Sequence, residues 1–86
     1  MNPSSFEFNL SLPRDSRLAA VVGELAQQAV TYADLDTELG EGFVDRVNTL
    51  AARHLAAGGN AACTVVYGCK DGVLFVTLDG ETVKSN

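Results

Sequence analysis

The chain has 86 residues and a formal charge of −5, with 47% apolar and 20% charged residues. This length supports one domain with a single hydrophobic core, and the composition is too apolar for a disordered protein. The basic residues are scattered apart from the neighbours Arg14 and Arg17. Nucleic-acid binding is therefore not expected, because it needs a concentrated positive face.

The N-terminal stretch MNPSSF has neither the basic region nor the apolar region of a signal peptide. The longest apolar runs are interrupted by Gly23, Glu24 or Asp71, so no membrane-spanning segment is expected. These features predict a cytoplasmic protein without a membrane partner.

Cys63 and Cys69 are the two cysteines of the chain. If both lie on one strand, they are about 20 Å apart at the usual rise per residue, which is too far for a disulfide. We predict buried thiols in a reduced compartment, without a redox or metal role.

The first predicted element is a strand from Phe6 to Leu12, in which aromatic and aliphatic residues alternate strictly with polar ones. Pro13 ends this strand because proline has no backbone N–H to donate. Asp15 or Ser16 is predicted to cap the helix that follows.

The first helix is predicted from Arg17 to about Tyr32, where apolar residues recur at helical spacing. Gly23 lies inside this helix and lowers its propensity by up to roughly 1 kcal/mol relative to alanine. We interpret Gly23 as a tolerated cost; the alternative is that it admits a close neighbour.

The central helix is predicted from Thr37 to Gly58, ended by the run Gly58-Gly59-Asn60. Gly40 and Gly42 weaken its first turns, so we expect either fraying or a regular start only near Phe43. A glycine loop for phosphate is the alternative, but no strand precedes it and no lysine follows it.

Two strands, Ala62–Cys69 and Val73–Asp79, are predicted around the turn Lys70-Asp71-Gly72, because Asp-Gly between such runs favours a hairpin. The polar tail after Gly80 is expected to be loose. The order β-α-α-β-β predicts an α+β domain with a three-stranded, mainly antiparallel sheet and two helices on one face.

Both faces of this predicted hairpin are largely apolar, but two helices can cover only one of them. The other face is expected to meet a second copy of the chain or another protein. We predict Val65, Tyr67, Val73 and Phe75 as contact residues, with the two aromatic side chains as anchors.

Several stretches resemble the histidine-kinase-like ATPase superfamily, and its small anti-sigma-factor serine kinases in particular. They are LPRDSRLAAVVGELAQQA, YADLD, TLAARHLAAGG and TVVYGCKDGVLFVTLDGE. The resemblance spans nearly all of this chain but only the first half to two-thirds of such a domain. It implies a truncated relative without the family's nucleotide lid and second glycine motif.

The resemblance implies a nucleotide site that uses a Glu, an Asn four residues later and often a His four residues after that, with ATP and magnesium as ligands. Anchoring this pattern on His54 places Leu50 at the magnesium position and Arg46 at the acid position. Leucine has no donor atom for magnesium, and arginine does not act as a base. Anchoring it on Asn48 instead leaves Val44 at the acid position and Ala52 at the histidine position.

The family's Asp-x-Gly-x-Gly turn, which binds adenine, corresponds to Asp79-Gly80-Glu81-Thr82-Val83, where the glycine spacing differs. The alternative interpretation is an ordinary turn that closes the last strand. For His54, the alternative to a ligand or base is a histidine at the edge of the core or facing the negative end of its helix.

Three hypotheses follow from these patterns. The first is a catalytically inactive, kinase-like regulatory or protein-interaction module, self-associating and with a possible protein partner in signalling or transcription control. The second is an ATP-binding, anti-sigma-factor-like serine kinase or phosphatase-type switch with a reduced pocket around Asn48, His54 and Asp79. The third is an unrelated small α+β dimer.

Overall fold

The computed structural model describes residues 5–56 and 61–85. The elements, in chain order, are β1 (Phe6–Leu12), a 3-10 turn (Ser16–Leu18), α1 (Ala19–Ala33), α2 (Thr37–Ala56), β2 (Cys63–Lys70), β3 (Val73–Leu78) and β4 (Glu81–Lys84). The strands form one antiparallel sheet in the order β1-β2-β3-β4. The α+β class and the two helices are confirmed, whereas the predicted count of three strands was wrong.

The fourth strand comes from the tail that was expected to be loose. Asp79 and Gly80 have φ values of 49° and 90°, close to the 53° and 80° of Asp71 and Gly72. Positive φ at both central residues is the requirement of a tight hairpin turn whose twist matches its strands. The second Asp-Gly pair therefore reverses the chain and pairs β4 with β3.

Helices α1 and α2 cover one face of the sheet. This covered face takes alternate residues of every strand, and Phe8, Tyr67, Val76 and Val83 form one row across it. The buried core combines this face with the helices, and its fully buried side chains include Val22, Ala26, Phe43, Val47, Leu55, Cys63, Val65, Tyr67 and Leu78.

The opposite face of the sheet, which we call the open face, has no helix above it among the described residues. By strand alternation it carries Glu7, Asn9, Ser11, Thr64, Val66, Gly68, Lys70, Val73, Phe75, Thr77, Thr82 and Lys84. An added Cβ at Gly68 would overlap the ring of Phe75, so this ring lies over the glycine of the neighbouring strand. The contact leaves Phe75 only partly exposed.

Two glycines mark close approaches between the helices, and their roles differ from those expected. Helix α2 begins at Thr37, and a Cβ on Gly40 would lie 2.6 Å from Val30 Cγ1 of α1. A Cβ on Gly23 would overlap the amide of Asn48. The alternative interpretation of Gly23, a close neighbour, is the one that the structure supports, and Gly40 serves helix packing rather than a frayed end.

The N-terminal side of the helical layer follows the predicted capping. The Asp15 side chain accepts a hydrogen bond of 3.0 Å from the backbone N–H of Arg17, and its carboxylate also pairs with the Arg17 guanidinium. The predicted end of α2 at Gly58, Gly59 and Asn60 lies outside the described residues.

Candidate functional site

The main group of interacting polar side chains lies where the last turn of α2 meets the β3–β4 turn. We call it the His54 cluster; its members are Arg14, Arg53, His54, Asp79 and Glu81. Arg14 follows β1, and the two acids stand on either side of Gly80. Three elements that are distant in the chain therefore supply the cluster.

His54 is held between two carboxylates. Its Nε2 lies 2.9 Å from Glu81 Oε1, and its Nδ1 lies 3.4 Å from Asp79 Oδ2. Arg14 donates to Asp79 Oδ2 at 2.6 Å and to the His54 carbonyl oxygen at 3.2 Å, and Arg53 pairs with Glu81. Each carboxylate is thus paired with one guanidinium group, and the His54 ring lies between the two ion pairs.

The pKa values in this cluster favour fixed charges. The hydrogen bond from Arg14 lowers the pKa of Asp79, and hydrogen bonds from His54 and Arg53 lower that of Glu81. Burial raises the pKa of the neighbouring Cys63 thiol. A carboxyl that stays ionised is a poor general acid, and a thiol that stays protonated is a poor nucleophile, so the arrangement is one of ion pairs.

The residues predicted for a nucleotide site are only partly brought together. His54 and Asp79 are in contact, whereas Asn48 lies elsewhere on α2, with its amide against Gly23 of α1. Leu50, at the magnesium position, is packed in the core with 4% of its surface exposed. No group of three His, Cys, Asp or Glu side chains within residues 5–56 and 61–85 is placed to hold a metal ion.

The four predicted contact residues divide between the two faces of the sheet. Val65 and Tyr67 are fully buried on the covered face, and the Tyr67 hydroxyl donates to the Val22 carbonyl oxygen at 2.9 Å. The prediction of Val65 and Tyr67 as contact residues was therefore wrong. They pair with Leu78 and Val76, which lie on the face opposite to that of Val73 and Phe75. Only the latter two lie on the open face.

A groove beside β1 was not predicted from the sequence. Its volume is about 340 Å³, and its lining consists of Phe6, Phe8, Leu25, Gln28, Ala29 and Tyr32. We call it the edge groove. Phe8 is 41% exposed and Tyr32 is 61% exposed. The Tyr32 ring meets Phe6 edge-on at 5.4 Å, and Phe8 stacks on Tyr67 at 5.0 Å. Aromatic side chains are thus in place to anchor a contact.

A signal for this groove was present in the sequence. Val21, Leu25, Gln28 and Tyr32 are separated by four, three and four positions, the spacing of a single stripe along a helix. The helix was predicted from apolar residues at helical spacing, without a division of these residues between two faces. The structure separates a core stripe, which includes Val22, from this second stripe towards β1.

Comparisons of this chain with protein-family models, curated proteins and solved structures gave no match. The resemblance to histidine-kinase-like ATPases therefore stays a prediction. Neither α1 nor α2, as described, is long and apolar enough to cross a membrane.

Proposed function

We propose that this chain is a non-catalytic regulatory module that acts by protein contact and associates with itself. The observation that carries this proposal is the edge groove, where large aromatic side chains are exposed beside β1. No strand within residues 5–56 and 61–85 pairs with the outer edge of β1. Contiguous exposed apolar surface is a mark of interaction sites in proteins of this size. The open face adds a partly exposed apolar centre at Val66, Val73 and Phe75.

The contacts of the His54 cluster support a structural role for His54 and Asp79, two of the residues predicted for the nucleotide pocket. Its two carboxylates are paired with Arg14 and Arg53, and His54 lies between them, with a hydrogen bond between its Nε2 and Glu81. These contacts tie the end of α2 to the β3–β4 turn. In this proposal they hold the interaction surfaces in place.

Sedimentation velocity of the purified chain, over the micromolar to millimolar range, tests this function. We expect the average mass to rise with concentration from 9.0 kDa towards twice that value. A mass that stays at 9.0 kDa throughout would contradict self-association.

Phe75→Asp reports whether the open face takes part in the association. The substituted carboxylate would lie over Gly68, on a face that is not part of the core, so the chain should stay folded by circular dichroism. A folded monomer would assign the contact to the open face, and a folded oligomer would assign it elsewhere.

The second candidate is the ATP-binding switch, which is favoured by the contact between His54 and Asp79. Calorimetric titration with ATP and magnesium separates the two functions. The interaction module predicts no saturable heat at protein concentrations able to detect millimolar binding. Saturable, magnesium-dependent heat that is lost in Asp79→Ala would support the nucleotide function instead.

A further inference from the structure

The two edges of the sheet are protected to very different degrees. The edge strand β4 has four residues and carries Glu81 and Lys84. The other edge strand, β1, has seven residues that alternate aliphatic or aromatic with polar, and Glu7 is its one charged residue. Long, apolar, weakly charged edges are the ones that pair with another strand, whereas short charged edges resist pairing. The outer edge of β1 is therefore the available one.

A second apolar surface runs beside this edge. The stripe of α1, formed by Val21, Leu25, Gln28 and Tyr32, carries no charged side chain, and Val21 and Tyr32 are 40% and 61% exposed. Three of its members also line the edge groove, together with Phe6 and Phe8 of β1. The strand edge and the helix stripe are thus one continuous surface.

We propose that this surface binds a second copy of the chain, with β1 pairing antiparallel to β1 of the partner subunit. Each copy contributes four strands, so the sheet becomes continuous with eight strands, and the two α1 stripes face each other across the paired β1 strands. This inference rests on the self-association proposed above and gives it a defined surface and symmetry.

The sequence of β1 is compatible with such a two-fold axis. With the axis at Asn9, Phe8 lies opposite Leu10 of the partner subunit, and Phe6 lies opposite Leu12 of the partner subunit. Glu7 then lies opposite Ser11 of the partner subunit, which avoids a pair of like charges. Even residue numbers face even ones, so the covered faces of both copies stay on the same side.

The α1 stripe is compatible with the same axis. Antiparallel stripes place Val21 towards Tyr32 of the partner subunit, and Leu25 towards Gln28 of the partner subunit. The chain carries a net charge of −5, which opposes association unless the contact itself is uncharged. The α1 stripe is uncharged, and the one charged residue of β1, Glu7, lies opposite Ser11 of the partner subunit.

A second copy fits this surface better than an isolated extended peptide. A peptide added to the β1 edge would pair with the strand but would leave Val21 and Tyr32 without a helix to cover them. A second copy supplies a strand edge and an uncharged helix stripe together. Isologous contacts of this kind close after two subunits.

Sedimentation equilibrium of matched variants tests the inference. Tyr32→Glu places a charge in the contact and is expected to weaken the dimer at least about tenfold. Adding Val21→Lys to Tyr32→Glu places opposite charges across the axis and is expected to recover part of that loss. Leu39→Glu is the control, because Leu39 is 49% exposed on α2 and lies outside the surface. The control should associate as the wild type does.

The outcomes separate this inference from the proposed function. A wild-type chain that dimerises, with Tyr32→Glu dimerising equally well, would overturn the inference and leave the interaction module standing. A wild-type chain that is monomeric at every concentration would overturn both. A monomer that binds a synthetic FEFNLSL peptide would show that the occupant is an extended strand and would overturn the second copy.

Discussion

At the residue scale, Asp79 has two roles. Its backbone forms part of a turn, and its carboxylate binds residues from other segments. Its φ of 49° forms the β3–β4 turn, and its carboxylate lies 2.6 Å from Arg14 Nη2. The carboxylate also accepts a hydrogen bond of 3.3 Å from the Thr64 backbone N–H. A single side chain thus connects the turn to the segment after β1 and to the start of β2.

Acid titration should reveal the carboxylate role. The pKa of Asp79 is lowered in the fold, chiefly by the Arg14 hydrogen bond, so its ionised form stabilises the fold above the unfolded pKa of about 3.9. This stabilisation is lost as the pH falls through the lower, folded pKa. We predict that Asp79→Asn reduces the free energy of unfolding at neutral pH and that its difference from the wild type shrinks below about pH 4.

Urea unfolding at several pH values measures this difference. Asp71→Asn is the matched control, because Asp71 occupies the same left-handed position in the β2–β3 turn, with a φ of 53°. Asparagine accepts that conformation, so both variants keep their turns. Equal effects of the two substitutions at every pH would contradict a role for the Asp79 carboxylate.

The division of β2 into two faces was predictable from the sequence, but the identity of the buried face was not. Alternation correctly separated Tyr67 from Gly68 and their neighbours, but alternation alone does not say which face the helices cover. The buried hydrogen bond from Tyr67 to Val22 settles that question in the structure, and it joins residues far apart in the sequence. A polar atom on a core aromatic finds its partner only after the elements have packed.

At the element scale, the two glycines near the start of α2 have different environments. A Cβ on Gly40 would lie 2.6 Å from Val30 Cγ1, whereas a Cβ on Gly42 would meet only Arg46 Nη1, at 3.5 Å. The first position needs glycine for close packing between the helices. The second does not, so its glycine only lowers helix propensity.

We predict that Gly40→Ala and Gly42→Ala change stability in opposite directions. Gly40→Ala forces the buried Val30 to move and should cost about 1–3 kcal/mol through overpacking, partly offset by propensity. Gly42→Ala should stabilise the chain by about 0.4–1 kcal/mol. Thermal and urea unfolding of the pair would show this, and a destabilised Gly42→Ala or a stabilised Gly40→Ala would contradict the described helix packing.

The elements with strong periodicity were predictable from the sequence. Strand β1 agrees with its predicted bounds from Phe6 to Leu12. Helix α2 begins at Thr37, its predicted first residue, and not near Phe43 as Gly40 and Gly42 had suggested. Strand β4 was missed because Glu81–Lys84 has one apolar residue in four, too few to show alternation. Its signal was the Asp79-Gly80 pair, which has the same form as the hairpin turn that was predicted at Asp71-Gly72.

At the scale of the whole molecule, the contacts between elements that form the His54 cluster and the edge groove could not be predicted from the sequence. Contact between His54 and Asp79 requires the β3–β4 turn to reach the end of α2, and the edge groove requires α1 to leave part of β1 uncovered. Both depend on how layers are stacked rather than on local pattern. The net charge of −5 could be read from the sequence, and it opposes association of two copies.

Salt dependence should distinguish the proposed contact from one built on ion pairs. The proposed surface has one charged residue, Glu7, within a chain of net charge −5, so screening reduces repulsion between the copies. We predict that sodium chloride strengthens the dimer modestly between low and physiological ionic strength, as measured by sedimentation equilibrium. Weaker association with added salt would indicate attraction between opposite charges instead.

Self-association through the β1 edge is tested most directly by hydrogen exchange at a dilute and a concentrated condition, with the mass measured at each. Strand pairing would bond backbone groups on the outer side of β1. The account predicts that residues 6–12 exchange more slowly in the concentrated sample, where the mass approaches twice 9.0 kDa, while residues 81–84 are unchanged. Equal exchange in residues 6–12 at the two concentrations, with or without a doubled mass, would contradict it.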